Sequence, residues 1–265
     1  MHEIKFLNEE VEELSHLLER LSASDWDRVT AFKQWTINDV VLHLYASDYM
    51  GIASTTSEDA FKTLRSDMMR IRNEGRSPIE ESRLRFPGLK GASLYTKWID
   101  QARDLSNRLA ARSPDEKLPW AGPSMTVPSF AAARQMENWA HGQEIYDVLN
   151  LERTPTDRLK PIATLGVKTF KWAYVNRAIA VPGILPQVRL TAPSGEVWTW
   201  NTDTKSDIIE GAADEFCQVV TQVRNIRDTH LRVKGAIATE WMSIAQCFAG
   251  APSDPPPPGS RRKGV

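Results

Sequence analysis

The chain has 265 residues, of which 41% are hydrophobic, and its 33 Lys and Arg residues nearly balance its 34 Asp and Glu residues. This composition is typical of a globular protein with one large or two modest domains. Because nucleic-acid binding depends mainly on basic groups that neutralise phosphates, a formal net charge of -1 argues against a nucleic-acid partner.

The chain start and the cysteines favour a cytoplasmic protein. The first residues, MHEIK, predict no signal peptide, and no apolar run approaches the roughly 20 residues that a membrane-spanning helix needs. The two cysteines, Cys217 and Cys247, are too few for a disulfide framework and lie in apolar helical patterns. We therefore expect a cytoplasmic location and no membrane partner.

The N-terminal part of the chain predicts a helical domain. Apolar residues at helical spacing predict a first helix over residues 4–21. A second helix is predicted to start after Thr36, which forms a capping-box pattern with Asp39, and to break near Gly51. The same spacing predicts further helices, which cover residues 57–72, 92–111, 128–149 and 159–177. Residues 75–91, which are polar and contain proline, are predicted to form a loop.

The pattern changes after Pro182. Alternating residues in 187–192 and 196–201, separated by a Pro-Ser-Gly turn, predict a β-hairpin. A helix over 207–223, a strand over 230–233 and a helix over 236–249 are predicted to complete a ββαβα unit. The sequence thus predicts a helical domain over 1–181, a small α/β domain over 182–251 and a disordered, proline-rich tail over 252–265.

The candidate chemistry lies on two predicted helices. Glu137 and His141 are four residues apart, so they share one helix face with apolar neighbours that indicate an inward orientation. A carboxylate and an imidazole on a buried face need a compensating charge, and a divalent cation would supply it. His43, in the apolar run of the second helix, would be a third ligand. Spacing alone leaves open a helix-surface pair and a core histidine.

A divalent cation on these three residues is most simply zinc. Two nitrogens and one oxygen suit Zn²⁺ and leave a fourth position open for water or substrate. Nickel or iron would also fit, because two histidines and a carboxylate form the ligand pattern of non-haem iron sites.

Two stretches resemble a known family. Residues 35–44 (WTINDVVLHL) and 134–144 (RQMENWAHGQE) are similar to the N-terminal domain of mycothiol-dependent maleylpyruvate isomerases, within the DinB/YfiT-like metal-binding superfamily. The family's ligand pattern maps without gaps onto His43, Glu137 and His141. Residues 214–222 and 240–250 resemble the C-terminal part of an uncharacterised subgroup of these proteins.

The resemblance implies both a fold and a reaction class. The expected fold is α+β and mainly α: a DinB-like four-helix bundle with extra helices, followed by a small α/β domain with a β-hairpin. The expected activity is metal-dependent activation of a low-molecular-weight thiol, for S-transfer to a small electrophilic substrate or for its isomerisation.

Three further residues are candidates for the site. Arg134 lies one turn before Glu137, so its guanidinium is a candidate catalytic group that would bind a carboxylate of thiol or substrate. The alternative is a structural ion pair with Glu137 or Asp39. Trp120 and Met125, in the irregular segment before this helix, are predicted to form the roof of the pocket and to contact the thiol.

Other functions stay open at this level. One is a metal-dependent hydrolase of a small amide or thioester, and another is a non-catalytic metal-binding protein, because fold and metal do not fix function. No HExxH pattern is present, which disfavours hydrolysis of that type. A small-molecule substrate is expected in the catalytic readings, and a homodimer is the default among soluble oligomers.

Overall fold

The computed structural model describes residues 1–261. The chain forms two compact units, one comprising Met1–Val148 and the other beginning at Leu149. This division comes earlier in the chain than the boundary predicted at residue 181. None of the helices within the described residues is long and apolar enough to cross a membrane.

The first unit is a helical bundle with additions. Its helices are α1 (His2–Leu18), α2 (Ile37–Thr56), α3 (Glu58–Asn73), α4 (Pro78–Arg85), α5 (Gly91–Ala110) and α6 (Val127–Val148). The four long helices α1, α2, α5 and α6 pack on one another as a four-helix bundle, which confirms the predicted architecture. The loop between α5 and α6 carries two short paired strands, β1 (Lys117–Leu118) and β2 (Met125–Thr126).

Helix α2 starts where the capping pattern predicts and ends later than predicted. The Thr36 hydroxyl accepts from the Asp39 backbone N–H, and the Asp39 carboxylate accepts from the Thr36 backbone N–H. The helix does not break at Gly51. A Cβ at Gly51 would lie 2.8 Å from Leu105 Cδ2, so the glycine permits close packing of α2 on α5. Glycine therefore serves helix packing here.

The segment predicted as a loop over 75–91 contains helix α4. Ser77 and Glu80 form a reciprocal capping box, and Pro78 occupies the first turn, where its missing N–H costs no hydrogen bond. Glu81 is fully buried and accepts from Arg85 at 2.7 Å, which explains how a polar stretch folds against the bundle. The composition alone hid this short helix.

Within the described residues, the second unit combines four α-helices with a four-stranded sheet. Its elements are α7 (Leu159–Lys168), α8 (Phe170–Val175), β3 (Gln187–Thr191), β4 (Val197–Trp200), β5 (Ile208–Ala212), α9 (Ala213–Val220), β6 (Arg232–Lys234) and α10 (Ala236–Ile244). The strand order is β4-β3-β5-β6. The antiparallel pair β3–β4 confirms the predicted hairpin. The described residues are mainly helical, as predicted.

Two features of this unit differ from the sequence predictions. Residues 208–212, predicted as helix, form strand β5, because this stretch pairs in parallel with β3 and antiparallel with β6. Helix α7, assigned by sequence to the first domain, packs on α9: a Cβ at Gly166 would lie 2.8 Å from Val220 Cγ2. That packing explains why the chain divides before α7.

The predicted disordered tail is partly ordered. The Asn225 amide donates to the Pro256 carbonyl at 2.9 Å, and the Gly259 N–H donates to the Asp228 carboxylate at 2.9 Å. These contacts hold residues 252–261 against the rest of the second unit, whereas residues 262–265 lie outside the described residues.

Candidate metal centre

The three predicted ligands meet between α2 and α6. His43 Nε2 lies 3.2 Å from Glu137 Oε2, and His141 Nε2 lies 3.6 Å from the same oxygen. Glu137 and His141 share one face of α6 across a single turn, as their spacing predicts, and α2 brings His43 to them. The side chains keep 24%, 22% and 13% exposure for His43, Glu137 and His141, so the cluster is reachable from solvent.

The cluster fits a divalent cation. Its ligand atoms all lie within 4.8 Å of one another, and no other group of this kind occurs in residues 1–261. Ligand atoms at about 2.1 Å from a tetrahedral zinc ion lie roughly 3.4 Å apart, which is close to the two spacings at Glu137. The donor set of two imidazole nitrogens and one carboxylate oxygen is therefore both chemically and spatially suitable.

The electrostatics of the cluster favour the ligand forms of these groups. Burial lowers the pKa of His141 to about 4, and the hydrogen bond to Glu137 offsets only part of that effect. Burial would raise the pKa of Glu137, but hydrogen bonds from His141 and His43 outweigh it and hold this pKa well below its usual range. Near neutral pH the cluster thus contains a neutral His141 and a carboxylate at Glu137, the forms that coordinate metals.

Aromatic rings from the loop before α2 line the cluster. The Trp35 ring lies 5.4 Å from the His43 ring and stacks at 6.1 Å on the His141 ring. The Phe32 ring forms edge-to-face contacts with Trp35 and His141, with ring centroids 5.0 and 5.1 Å apart, respectively. These apolar neighbours restrict how the imidazoles can rotate. Phe32 was not a candidate from the sequence, where its position three residues before Trp35 was the available signal.

The loop that carries these rings is strained at its tip. Lys33 and Gln34 have φ values of 50° and 57°, in the left-handed region that non-glycine residues adopt at a cost. The Thr30 N–H and hydroxyl both donate to the Trp35 carbonyl, which closes the loop. This closed tip carries Phe32 and Trp35 to the cluster.

Arg134 is buried in an ion pair that the sequence did not reveal. Its Nε donates to Asp48 Oδ1 on α2 at 3.0 Å, and both side chains are only 2% exposed. The alternative partners considered from sequence were Glu137 and Asp39, but Asp39 binds Arg83 at 2.7 Å. A catalytic role for Arg134 stays a prediction.

The other two predicted site residues lie further along the bundle. The Trp120 ring contacts the Phe130 ring at 4.8 Å, and Met125 pairs with Leu118 across the short β1–β2 ladder. Phe130 precedes Glu137 by seven residues, or about 10 Å of helix. The structure brings His43, Glu137 and His141 together and leaves Trp120 beside Phe130. A role of Trp120 and Met125 in cofactor binding stays a prediction.

Comparison with known proteins identifies the family. A family model described as the mycothiol maleylpyruvate isomerase N-terminal domain matches residues 7–146, which is over half of the chain. The chain belongs to this family. The match includes all three residues of the cluster and confirms the resemblance seen in the sequence.

Two relatives match this chain over nearly its whole length. Two uncharacterized proteins from Mycobacterium tuberculosis, of strains CDC 1551 and H37Rv, are each 33% identical to this chain over 246 residues. Each match covers 93% of this chain and 95% of the relative.

Solved structures match the same fold. The crystal structure of the mycothiol-dependent maleylpyruvate isomerase matches with a TM-score of 0.51 and 14% identity, over 82% of this chain and 87% of that one. A histidine-to-alanine mutant of that isomerase matches with the same TM-score and coverage at 11% identity. At these identities the likeness concerns the fold alone.

Proposed function

We propose that this protein is a metal-dependent enzyme that activates a low-molecular-weight thiol for isomerisation of, or S-transfer to, a small electrophilic substrate. The observation that carries the proposal is the convergence of two imidazoles and one carboxylate on one solvent-reachable point between α2 and α6. The family supports the thiol, because its name refers to mycothiol and its named member is an isomerase.

The donor set explains the role of each ligand. His43 and His141 would hold a cation as neutral nitrogen ligands, and Glu137 would contribute one negative charge. Three protein ligands leave a tetrahedral ion one position for an exogenous group. When bound, a divalent cation would lower the pKa of a coordinating thiol and so supply a thiolate nucleophile at neutral pH.

The surrounding residues would orient the ligands and limit access. Trp35 lies against both histidine rings and is 9% exposed, so it would hold the imidazoles in place and keep water from one side of the cluster. Zinc is the simplest cation for this set, with nickel and iron as the alternatives. Trp120 and Met125 are proposed as contacts for the distal part of the thiol, which would extend along α6 from the cluster toward Phe130.

A thiol titration of the zinc-loaded protein tests this function. We expect the zinc absorption edge to show one sulfur scatterer at saturating mycothiol, and none in the Glu137→Gln variant, which should lose most of its zinc. A zinc-loaded protein whose coordination shell stays free of sulfur would contradict thiol activation.

Activity assays then separate the reaction classes. Maleylpyruvate, the substrate in the name of the family's isomerase, is the first test substrate. Turnover that needs both zinc and mycothiol is expected for the proposed class. Turnover of small thioesters or amides with zinc alone would instead identify a hydrolase, and metal binding with neither turnover would indicate a binding protein.

A further inference from the structure

A group of buried polar atoms lies beneath the candidate metal centre. Asp48, Arg134 and Asn138 are 2%, 1% and 1% exposed. Within these residues and His141, four buried atoms have no hydrogen-bond partner in the described part of the chain: Asp48 Oδ2, Arg134 Nη2, Asn138 Oδ1 and His141 Nδ1. Of these, Arg134 Nη2 also lies 3.0 Å from Asp48 Oδ1 in the ion pair. Because folded proteins pair nearly all of their buried polar atoms, each of these four atoms calls for a partner.

These residues, which we call the polar layer, follow one stripe of α6 over two turns, or about 10 Å of helix. Arg134, Asn138 and His141 stand at positions i, i+4 and i+7 of α6, which places them on a single stripe of that helix. Asp48 joins the stripe from α2 through its ion pair with Arg134. The charges of His43 and Glu137 affect the pKa of Asp48, and the charge of Arg134 lowers the pKa of His141. The polar layer therefore interacts electrostatically with the candidate metal centre.

The chemistry of a ligating histidine calls for such a layer. His141 Nε2 faces Glu137, so Nε2 is the nitrogen that would bind a cation, and Nδ1 would then carry the proton. Metal-binding histidines usually donate that second N–H to a carboxylate, a carbonyl or a water, and this bond fixes the tautomer and the ring orientation. His141 Nδ1 is buried, so its acceptor must also be buried.

We propose that Asp48, Arg134 and Asn138 are positioning residues that hold one buried water against the Nδ1–H of His141. A water molecule donates two hydrogen bonds and accepts two. The four atoms match this capacity: His141 Nδ1–H and Arg134 Nη2–H donate, and Asp48 Oδ2 and Asn138 Oδ1 accept. Buried waters typically make about three such bonds.

Among these three residues, Asp48 is expected to have the largest effect on metal affinity. Its carboxylate, acting through the water, makes the imidazole of His141 a stronger ligand. Burial raises the pKa of Asp48, and the positive charge and hydrogen bond of the Arg134 guanidinium oppose that rise and so favour the carboxylate form. The inference rests on the proposed metal centre and adds a function for its supporting residues.

Zinc affinity, measured by chelator competition on the full chain, tests the proposal. We expect Asp48→Asn to weaken zinc binding by about 10- to 100-fold and Asn138→Leu by about 10-fold, the range typical of residues that support metal ligands. Ser106→Ala is the matched control. Ser106 Oγ on α5 is also buried without a hydrogen-bond partner, but it lies outside the layer, so this variant should bind zinc within about twofold of the parent protein.

A second readout reports on the ring itself. In the zinc-loaded protein with ¹⁵N-labelled histidine, we expect a slowly exchanging Nδ1–H proton on His141, and its fast exchange in Asp48→Asn. A His141 ring protonated on Nε2 in the zinc-loaded protein would overturn the proposal.

The outcomes separate this inference from the function on which it rests. A parent protein that binds no zinc would refute both. Zinc binding that is equally tight in the parent, Asp48→Asn and Asn138→Leu would refute the positioning layer alone. If Asp48→Asn fails to fold because Arg134 is left charged, the neutral double variant Asp48→Asn/Arg134→Gln replaces it, and parent-like affinity in that variant would refute the proposal.

Discussion

The two units of this chain both bury reactive side chains, but they do so in different ways. In the first unit, His43, Glu137 and His141 converge from two helices and stay partly exposed. In the second, Cys217 is fully buried, its S–H points to the Leu159 carbonyl at 3.7 Å, and burial raises the pKa of its thiol well above the usual value. Residue type therefore does not make a site; access and a complementary charge do.

The largest expected effect is the loss of zinc affinity when a proposed ligand of the first unit is substituted. Substituting Glu137→Gln, or either histidine with alanine, should weaken zinc binding by about 1,000-fold, more than the 10- to 100-fold expected for supporting residues. Cys217→Ala in the second unit should leave zinc affinity unchanged. Chelator competition measures both, with circular dichroism as the control for folding. Zinc affinity that depends on Cys217 would contradict the assignment of the metal centre to the first unit.

The second effect concerns the pH dependence of the metal-free protein. The pKa of His141 is about 4 in the folded protein and has an ordinary value of 6.5. As the pH falls, His141 is therefore protonated in the unfolded chain before it is protonated in the folded protein. The contribution of neutral His141 to the free energy of unfolding is fully present above pH 6.5. It is lost as the pH falls toward 4, and the free energy of unfolding decreases by about 3 kcal/mol in total. Urea unfolding between pH 4 and 7 measures this loss.

The matched variants for the pH prediction are substitutions of two histidines. His141→Gln should flatten the dependence in that window, whereas His16→Gln, at an exposed position of α1, should not. Equal slopes in the two variants would contradict the burial of a neutral imidazole at position 141.

Gly166 and Gly51 allow the packing tolerance of the two units to be compared, because each glycine lies at a contact between helices. A Cβ at Gly166 would lie 2.8 and 3.1 Å from the stiff Val220 side chain and 3.1 Å from Phe216, whereas at Gly51 it would meet the more flexible Leu105. Gly166→Ala should therefore destabilise the second unit by about 1–3 kcal/mol. Gly51→Ala should change stability by less than about 1 kcal/mol, because the better helix propensity of alanine offsets the crowding. Thermal unfolding measures both, and the reverse order would be inconsistent with the packing described.

The smallest expected effect concerns backbone strain. Gln34 and Asn150 have nearly equal left-handed φ values of 57° and 56°, but asparagine tolerates this region and glutamine does not. Gln34→Gly should stabilise the first unit by about 0.5–1 kcal/mol, while Asn150→Gly should change stability by only a few tenths. Denaturant titration detects the difference. A Gln34→Gly protein that binds zinc less tightly would show, in addition, that the strained tip helps to hold Trp35 and Phe32 against the ligands.

The sequence by itself determined the features that depend on spacing along the chain. The capping box at Thr36 and Asp39, the shared face of Glu137 and His141, and the hairpin of β3 and β4 follow from local geometry, and the structure has all three. His43 was a candidate third ligand because of its apolar run, and the family's ligand pattern also maps onto it, but no local pattern encodes its place beside α6.

Only the tertiary structure decided which distant groups meet. Asp48 pairs with Arg134 because α2 and α6 pack side by side, residues 208–212 become a strand because β3 and β6 flank them, and α7 joins the second unit because Gly166 admits Val220. Each of these depends on contacts between residues far apart in the chain. Such contacts leave no periodic signal in a single sequence, since the hydrogen-bonding or packing partner is supplied by another element.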